Sequence, residues 1–139
     1  MKEGILLDTG PLVAFLNRRD QYHDWSLSQW AQIVPPMRTC EAVLSETLFL
    51  VGDNPSAIDA VMGMLVRGIV TLPFSLTEHT QRIVALLKKY RSVPISLADA
   101  CLVRMSEVYP ESRVFTLDSD FALYRRHGRQ AIPTIMPAV

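Results

Sequence analysis

Short apolar runs and helical patterns alternate along this chain. Runs of apolar and β-branched residues predict five strands, at residues 5–7, 37–38, 69–72, 114–117 and 131–135. Helical periodicity, capping residues and terminal glycines predict seven helices, at residues 10–17, 20–33, 40–51, 56–67, 75–90, 96–108 and 119–127. The last strand contains Pro133 and is therefore expected at a sheet edge. The alternation predicts an α/β fold, a three-layer α/β/α domain with a central parallel sheet of four or five strands.

Length and composition agree with a single globular domain that spans residues 1–139. Domains hold roughly 100–200 residues, so 139 residues predict one. Hydrophobic residues make up 49% of the chain and charged residues 20%, a balance that excludes a disordered protein. The 14 Lys and Arg residues equal the 14 Asp and Glu residues in number. This balance excludes a uniformly basic protein, although a local basic patch stays open.

The cysteines and the apolar runs indicate a cellular location. Cys40 and Cys101 lie far apart in apolar surroundings, without a CxxC spacing, and are expected to be buried free thiols, as in a reducing compartment. The N-terminal segment reaches a charge after three apolar residues, unlike a signal peptide. The longest apolar stretches fall short of the ~20 residues that a membrane span needs. We therefore expect a cytoplasmic protein without a membrane segment.

Four acidic residues stand in apolar surroundings. Asp8 ends the first predicted strand and Asp118 ends the fourth. Ligands bind outside the carboxyl ends of strands in open parallel sheets, so both acids are expected at a site. Glu46 is expected on an apolar helix face, because apolar side chains surround it at helical spacing: Ala42, Val43, Phe49 and Leu50. An ion pair of Glu46 with Arg38 or Arg67 is the structural alternative.

Asp99, the fourth acid, has two interpretations. Ile95, Leu102 and Val103 share its helix face, which predicts a carboxylate in apolar surroundings. Ser96 and Asp99 also have the spacing of a capping box, which would give Asp99 a purely structural role at a helix start.

The four acids together predict a site for a hard divalent metal ion. An unpaired carboxylate in an apolar setting costs several kcal/mol, so it needs a cation. Arginines could neutralise four converging carboxylates only with a matching basic cluster, whereas Mg²⁺ or Mn²⁺ prefers carboxylate oxygens and keeps several waters. No His or Cys joins the set, which argues against zinc.

The segments around these acids resemble the four motifs of the PIN-domain nucleases. Residues 6–16, Leu-Leu-Asp-Thr-Gly-Pro-Leu-Val-Ala-Phe-Leu, look like the opening strand and helix of that family. Residues 39–46, 94–103 and 114–121 resemble its second, third and fourth motifs, in the same order. The chain length resembles that of the toxin in VapBC-type toxin–antitoxin pairs. The resemblance implies an endoribonuclease that depends on Mg²⁺ or Mn²⁺, forms a homodimer and is inhibited by an antitoxin encoded beside it.

The resemblance also implies roles for individual residues. The acidic quartet that binds metal and carries catalysis is matched by Asp8, Glu46, Asp99 and Asp118. Asp120 matches a further acid that assists the metal, with a favourable interaction with a helix dipole as its structural alternative. Thr9 and Thr116 match hydroxyl positions that orient water or a carboxylate. A protein with this fold that binds metal or RNA without cutting it is the alternative function, which a metal titration combined with a nuclease assay distinguishes.

Basic and aromatic residues outside the motifs are candidates for RNA contacts. Arg125, Arg126 and Arg129 would form a basic rim for RNA phosphates, or else simply face water at a helix end. Tyr22, Trp25 and Trp30 are expected in the core or in a dimer contact, with stacking on single-stranded bases as the alternative.

Overall fold

A computed structural model describes residues 4–138 of the chain. It contains seven strands: β1 (Gly4–Leu7), β2 (Met37–Arg38), β3 (Val70–Thr71), β4 (Ser112–Phe115), β5 (Arg125–Arg126), β6 (Gln130–Ala131) and β7 (Thr134–Ile135). Five of them form one parallel sheet in the order β3-β2-β1-β4-β7, and β5 and β6 form a separate antiparallel pair. The predicted parallel sheet is thus confirmed, with five strands and with β7 at an edge.

Helices connect the strands and flank the sheet. They are α1 (Thr9–Leu16), α2 (His23–Trp30), α3 (Glu41–Val51), α4 (Pro55–Val66), α5 (Thr80–Lys89) and α6 (Leu97–Val108), with short 3-10 turns at Thr77–His79 and Ser119–Ala122. Within residues 4–138, no helix is long and apolar enough to cross a membrane. The three-layer α/β/α fold that the sequence predicts is confirmed.

The central strand β1 separates two apolar cores. Side chains of a strand point alternately to its two faces. Leu6 accordingly packs into one core with residues of α5 and α6, while Ile5 and Leu7 pack into the other with residues of α1 and α4. β1 pairs with both β2 and β4. Its carboxyl end therefore lies in the middle of the row formed by the carboxyl ends of the parallel strands.

The aromatic residues of α2 belong to the second core. Trp30 stacks on Phe15, with ring centroids 4.4 Å apart, and Trp25 meets Phe115 edge-on at 5.7 Å. The core interpretation of both tryptophans is therefore confirmed. Cys40 and Cys101 are both free and buried in the first core, as expected.

The predicted helix at residues 119–127 is wrong. The chain makes one 3-10 turn at Ser119–Ala122 and then an antiparallel pair, with Arg126 opposite Gln130. Positive φ angles of 51° at His127 and 79° at Gly128 turn the chain between the two strands. Gly128, interpreted from sequence as a helix stop, is therefore a hairpin residue.

Other predicted elements differ in their bounds, among them the strand predicted at 131–135, which is divided between β6 and β7. The helix predicted at 20–33 is shorter, because residues 17–22 form a turn before α2. The strand predicted at 114–117 is β4, displaced by two residues toward the N-terminus, so that a loop separates Phe115 from Asp118.

Candidate active site

The ends of β1 and β4 bring two of the predicted acids to one edge of the sheet. The two strands are parallel neighbours, with Leu7 opposite Phe115. Asp8 directly follows β1, and Asp118 lies three residues beyond β4. One cavity of about 580 Å³ at this edge is lined by Asp8, Asp118, Asp99 of α6 and Glu46 of α3. The structure therefore brings together the four acids that the sequence singled out.

Asp8 is held from two sides. It is the N-cap of α1, and its Oδ1 accepts a hydrogen bond from the backbone N of Thr9 at 2.7 Å. Its Oδ2 accepts from the Thr116 hydroxyl, also at 2.7 Å. The same hydroxyl accepts from the backbone N of Asp118 at 2.9 Å, so Thr116 links the ends of β1 and β4. These contacts fix the orientation of the Asp8 carboxylate.

Asp99 lies in the first turn of α6. The Ser96 side chain accepts from the backbone N of Asp99 at 3.0 Å, so Ser96 caps the helix as its spacing predicts. The Asp99 carboxylate accepts from the Tyr124 hydroxyl at 3.0 Å. Tyr124 is fully buried, and sequence reasoning missed it because residues 119–127 were interpreted as a helix. Ser96 thus supplies the cap, and the carboxylate of Asp99 faces the cavity.

The expectation that Glu46 is buried on an apolar helix face is wrong. Glu46 is exposed, because α3 turns Val43, Leu44 and Thr47 toward the interior. Phe49 and Leu50, the apolar neighbours that suggested burial, are themselves 80% and 56% exposed. No ion pair of Glu46 with an arginine exists within residues 4–138. Glu46 reaches the cavity from its open side.

The accessory positions divide into those at the cavity and those outside it. Thr9 lines the cavity, and its buried hydroxyl oxygen has no hydrogen-bond partner among residues 4–138. Asp120 does not line the cavity; its backbone N donates to Asp118 Oδ1 at 2.9 Å. Asp120 therefore supports Asp118 through the backbone of the 3-10 turn. Asp20 and Tyr22, which no motif indicated, line the cavity from the turn before α2.

Burial and mutual repulsion raise the pKa values of two acids. Burial is the largest cause for Asp8 and raises its pKa to about 6, with smaller contributions from the charges of Asp118 and Glu46. The pKa of Asp99 rises to about 7, again mainly through burial and then through the charge of Asp8. Within residues 4–138, the ion pairs present involve only Glu107 with Arg82 and Arg104. No cationic side chain of the described part of the chain therefore neutralises the acids of the cavity.

This donor set fits a hard divalent metal ion. The cavity offers carboxylate oxygens and the unpartnered Thr9 hydroxyl, and no His or Cys lines it within the described residues. Among residues 4–138, no group of three or more His, Cys, Asp or Glu side chains has the geometry of a preformed metal site. Mg²⁺ does not need such a cage, since it is commonly bound by one or two carboxylates, several waters and substrate phosphates.

The structure shows where the three arginines expected at an RNA-binding rim lie. None of Arg125, Arg126 and Arg129 lines the cavity. Arg125 Nη1 donates to the carbonyl oxygens of Ala122 and Tyr124 at 2.7 and 3.0 Å. Arg126 Nη1 donates to carbonyl oxygens at the end of α6. The helix end at which they were expected is replaced by β5, and their contact with RNA stays a prediction.

Comparison with known proteins identifies the family. A sequence model of the PIN domain matches residues 5–126. The chain belongs to the PIN domain family. The fold is similar to that in the crystal structure of VapC20 from Mycobacterium tuberculosis, described as a toxin that cleaves the sarcin–ricin loop. The TM-score is 0.77 at 20% sequence identity, and the match covers 86% of this chain and 94% of that chain. No curated protein matches the sequence.

Membership in the PIN domain family supports a nuclease. The matched residues 5–126 include the four acids of the cavity that the motifs indicated. The family assignment and the cavity therefore point to the same edge of the sheet.

Proposed function

We propose that this PIN-domain protein is an endoribonuclease that depends on Mg²⁺ or Mn²⁺. The observation that carries the proposal is the cavity in which Asp8, Glu46, Asp99 and Asp118 meet without an ion pair to any cationic side chain of residues 4–138. Carboxylates that repel one another in a partly buried site need a cation, and a divalent ion that RNA phosphates help to hold meets that need.

Asp8, Asp99 and Asp118 would hold the metal ion, with Glu46 at the open side of the cavity. When bound, the ion supplies a Lewis acid that lowers the pKa of water and neutralises charge on the phosphate. Thr116 keeps Asp8 in one orientation, and Tyr124 does the same for Asp99. The site is therefore organised before substrate arrives, which lowers the cost of positioning.

The reaction would be hydrolysis by water rather than attack by the ribose 2′-hydroxyl. None of the histidines within the described residues lines the cavity, so no imidazole pair is placed to deprotonate the 2′-hydroxyl and protonate the leaving oxygen. Water adds to phosphorus, the bond from phosphorus to the 3′ oxygen breaks, and that oxygen takes a proton. The expected products carry a 5′-phosphate and a 3′-hydroxyl.

A cleavage assay with variants of the acids tests this proposal. Labelled RNA, both single-stranded and hairpin, is incubated with Mn²⁺ or with EDTA. We expect wild-type cleavage with Mn²⁺ only, and a loss of at least 100-fold in Asp8→Asn and Asp99→Asn, since each removes a charged ligand oxygen. Asp59→Asn on the exposed face of α4 is the matched control and should cleave like wild type. Cleavage that persists in EDTA, or in Asp8→Asn, would contradict the mechanism.

We further propose that the protein is the toxin of a toxin–antitoxin pair and acts as a homodimer. The fold shared with VapC20 supports this proposal, and a sarcin–ricin loop hairpin is therefore included among the test RNAs. Expression of wild type should arrest growth, whereas Asp8→Asn should not. Light scattering should give about twice the 15.6 kDa chain mass. Growth that is unaffected by active enzyme would argue against the toxin role alone.

A further inference from the structure

A second groove opens directly beside the acid cavity. It has a volume of about 430 Å³ and shares Val13 of α1 and Leu50 of α3 with the acid cavity. We call it the side groove, and define it by Val13, Leu16, Arg18, Arg19, Leu50 and Asn54. Leu50 lies one helical turn beyond Glu46, so the wall of the side groove continues the wall of the acid cavity.

Two arginines at the side groove have no partner among the residues that the structure describes. Arg18 and Arg19 are exposed, and neither guanidinium makes a hydrogen bond or an ion pair with any of residues 4–138. The guanidinium groups of Arg82 and Arg104, in contrast, are held by Glu107. Arg18 and Arg19 are therefore cations available to a ligand next to an acidic site.

The turn that carries these arginines continues into the acid cavity. The side chain of Asn17 accepts from the backbone N of Arg19 at 3.0 Å, and the side chain of Asp20 accepts from the backbone N of Tyr22 at 2.8 Å. Tyr22 is half-buried and lines the acid cavity. Its core placement, expected from sequence, is not observed, since it is absent from both apolar cores of the described residues.

We propose that the side groove and residues 17–22 bind the single RNA strand that flanks the scissile phosphate. Arg18 and Arg19 contact backbone phosphates, and Tyr22 stacks on a base at the mouth of the acid cavity. The inference rests on the proposed ribonuclease function, because the acid cavity supplies the point where the strand is cut.

Charge and surface chemistry favour an RNA strand as the occupant. The acid cavity alone repels a polyanion, so cations close to it are required to hold phosphates on either side of the cut. Apolar Val13, Leu16 and Leu50 give surfaces for ribose and base, and aromatic rings with arginines are the usual platform for single strands.

Direct binding measurements test the inference separately from cleavage. A labelled, unstructured RNA of about 12 nucleotides is titrated in EDTA with protein carrying Asp8→Asn, and anisotropy is followed from 50 to 200 mM salt. Arg18→Gln and Arg19→Gln should each weaken binding several-fold and reduce the salt slope by about 0.7, the value for one lost phosphate contact on a single strand. Arg67→Gln, an exposed arginine at the end of α4, is the matched control and should change neither.

Tyr22 is tested by a pair of variants. Tyr22→Leu should weaken binding about 5- to 100-fold with an unchanged salt slope, because it removes stacking and no charge. Tyr22→Phe should bind like the parent protein. Melting temperatures of all variants are compared first, so that a folding defect in Tyr22→Leu is recognised. Tyr22→Phe keeps the aromatic ring, so normal binding by this variant shows that the ring, and not the hydroxyl group, is needed.

Each result has a defined meaning. Unchanged affinity and salt slope in both arginine variants would overturn the inference while leaving the nuclease proposal standing. If the arginine variants bind RNA normally but no longer bind an inhibitory protein partner, the side groove is a site for that partner, and the inference is equally overturned. The two proposals can also separate in the other direction. If the arginine variants lose RNA binding but the wild-type protein does not cut RNA, the results support the side groove as an RNA site and contradict the nuclease proposal.

Discussion

Two hydroxyl groups organise the acids of the cavity at the level of single residues. Thr116 donates to Asp8 and accepts from the backbone of Asp118, while Tyr124 donates to Asp99. Thr116 and Tyr124 are fully buried. A buried group left without its hydrogen bond costs about 1–3 kcal/mol, so these two contacts bear on both stability and ligand geometry.

Thr116→Val tests the contact to Asp8. The change keeps side-chain volume but leaves Asp8 Oδ2 and the backbone N of Asp118 without this partner. We expect a loss of about 1–3 kcal/mol in the free energy of unfolding, together with weaker Mn²⁺ binding. Chemical denaturation and a Mn²⁺ titration measure the two effects. Thr116→Ser retains the hydroxyl and should restore both; a serine variant as impaired as valine would contradict the argument.

The pKa of Asp99 predicts a dependence of stability on pH. The folded carboxyl titrates near 7 and an unfolded one near 3.8, so the folded state holds its proton more tightly. Ionisation of Asp99 therefore destabilises the metal-free protein. The loss of stability begins at about pH 4, grows up to about pH 7 and is complete above pH 7. Asp99→Asn should raise the free energy of unfolding in EDTA at pH 8 by about 1–3 kcal/mol, with little effect at pH 4.

Urea unfolding at both pH values measures this difference. Asp59→Asn, which removes an exposed carboxyl of α4, should follow wild type at each pH. An Asp99→Asn protein that is no more stable than wild type at pH 8 would show that the site tolerates the charge.

At the level of elements, Glu107 of α6 joins three parts of the chain. Its carboxylate accepts from Arg82 of α5 at 2.9 and 2.7 Å and from Arg104 at 3.1 Å. It also accepts from the backbone N of His127, in the turn between β5 and β6, at 2.6 Å. Burial alone would raise the pKa of Glu107, but these hydrogen bonds lower it to about 2. The contact fixes the hairpin in place of the predicted helix.

Glu107→Gln should therefore destabilise the fold in a pH-dependent manner. The native carboxyl titrates below its ordinary value of 4.5, so its stabilisation is complete above about pH 4.5 and is lost as the pH falls through about 2. We expect a loss of about 2–3 kcal/mol at pH 7, since both arginines are partly exposed. Denaturant curves from pH 7 to 2 should converge for variant and wild type. Glu111→Gln, an exposed carboxyl close to α6, should have no comparable effect.

At the level of the whole molecule, metal binding should stabilise the folded state. An ion that binds only the native protein adds about 1.4 kcal/mol at ten times its dissociation constant. For a chain of 139 residues this corresponds to a rise of roughly 5 °C in melting temperature. Thermal unfolding with and without Mn²⁺ measures it. Asp8→Asn should remove the rise and Asp59→Asn should keep it; an equal rise in Asp8→Asn would place the ion elsewhere.

Sequence alone determined the sheet and two of its acids. The alternation of apolar runs and helical patterns is a local property, and parallel strands place their carboxyl ends at one edge. Asp8 and Asp118 therefore had to meet once β1 and β4 became neighbours. The N-cap at Ser96 could also be predicted from sequence, because a helix cap depends on residues three positions apart.

Only the tertiary structure decided what depends on contacts between distant segments. The exposure of Glu46 depends on which neighbours cover α3, and the pairing of Tyr124 with Asp99 joins residues 25 positions apart. Residues 119–127 carry a helical pattern, yet the carboxylate of Glu107 and the turn at Gly128 stabilise a hairpin that begins at Arg125. Periodicity reports on a residue's own segment, whereas burial, ion pairs and the lining of the cavity are set by packing between segments.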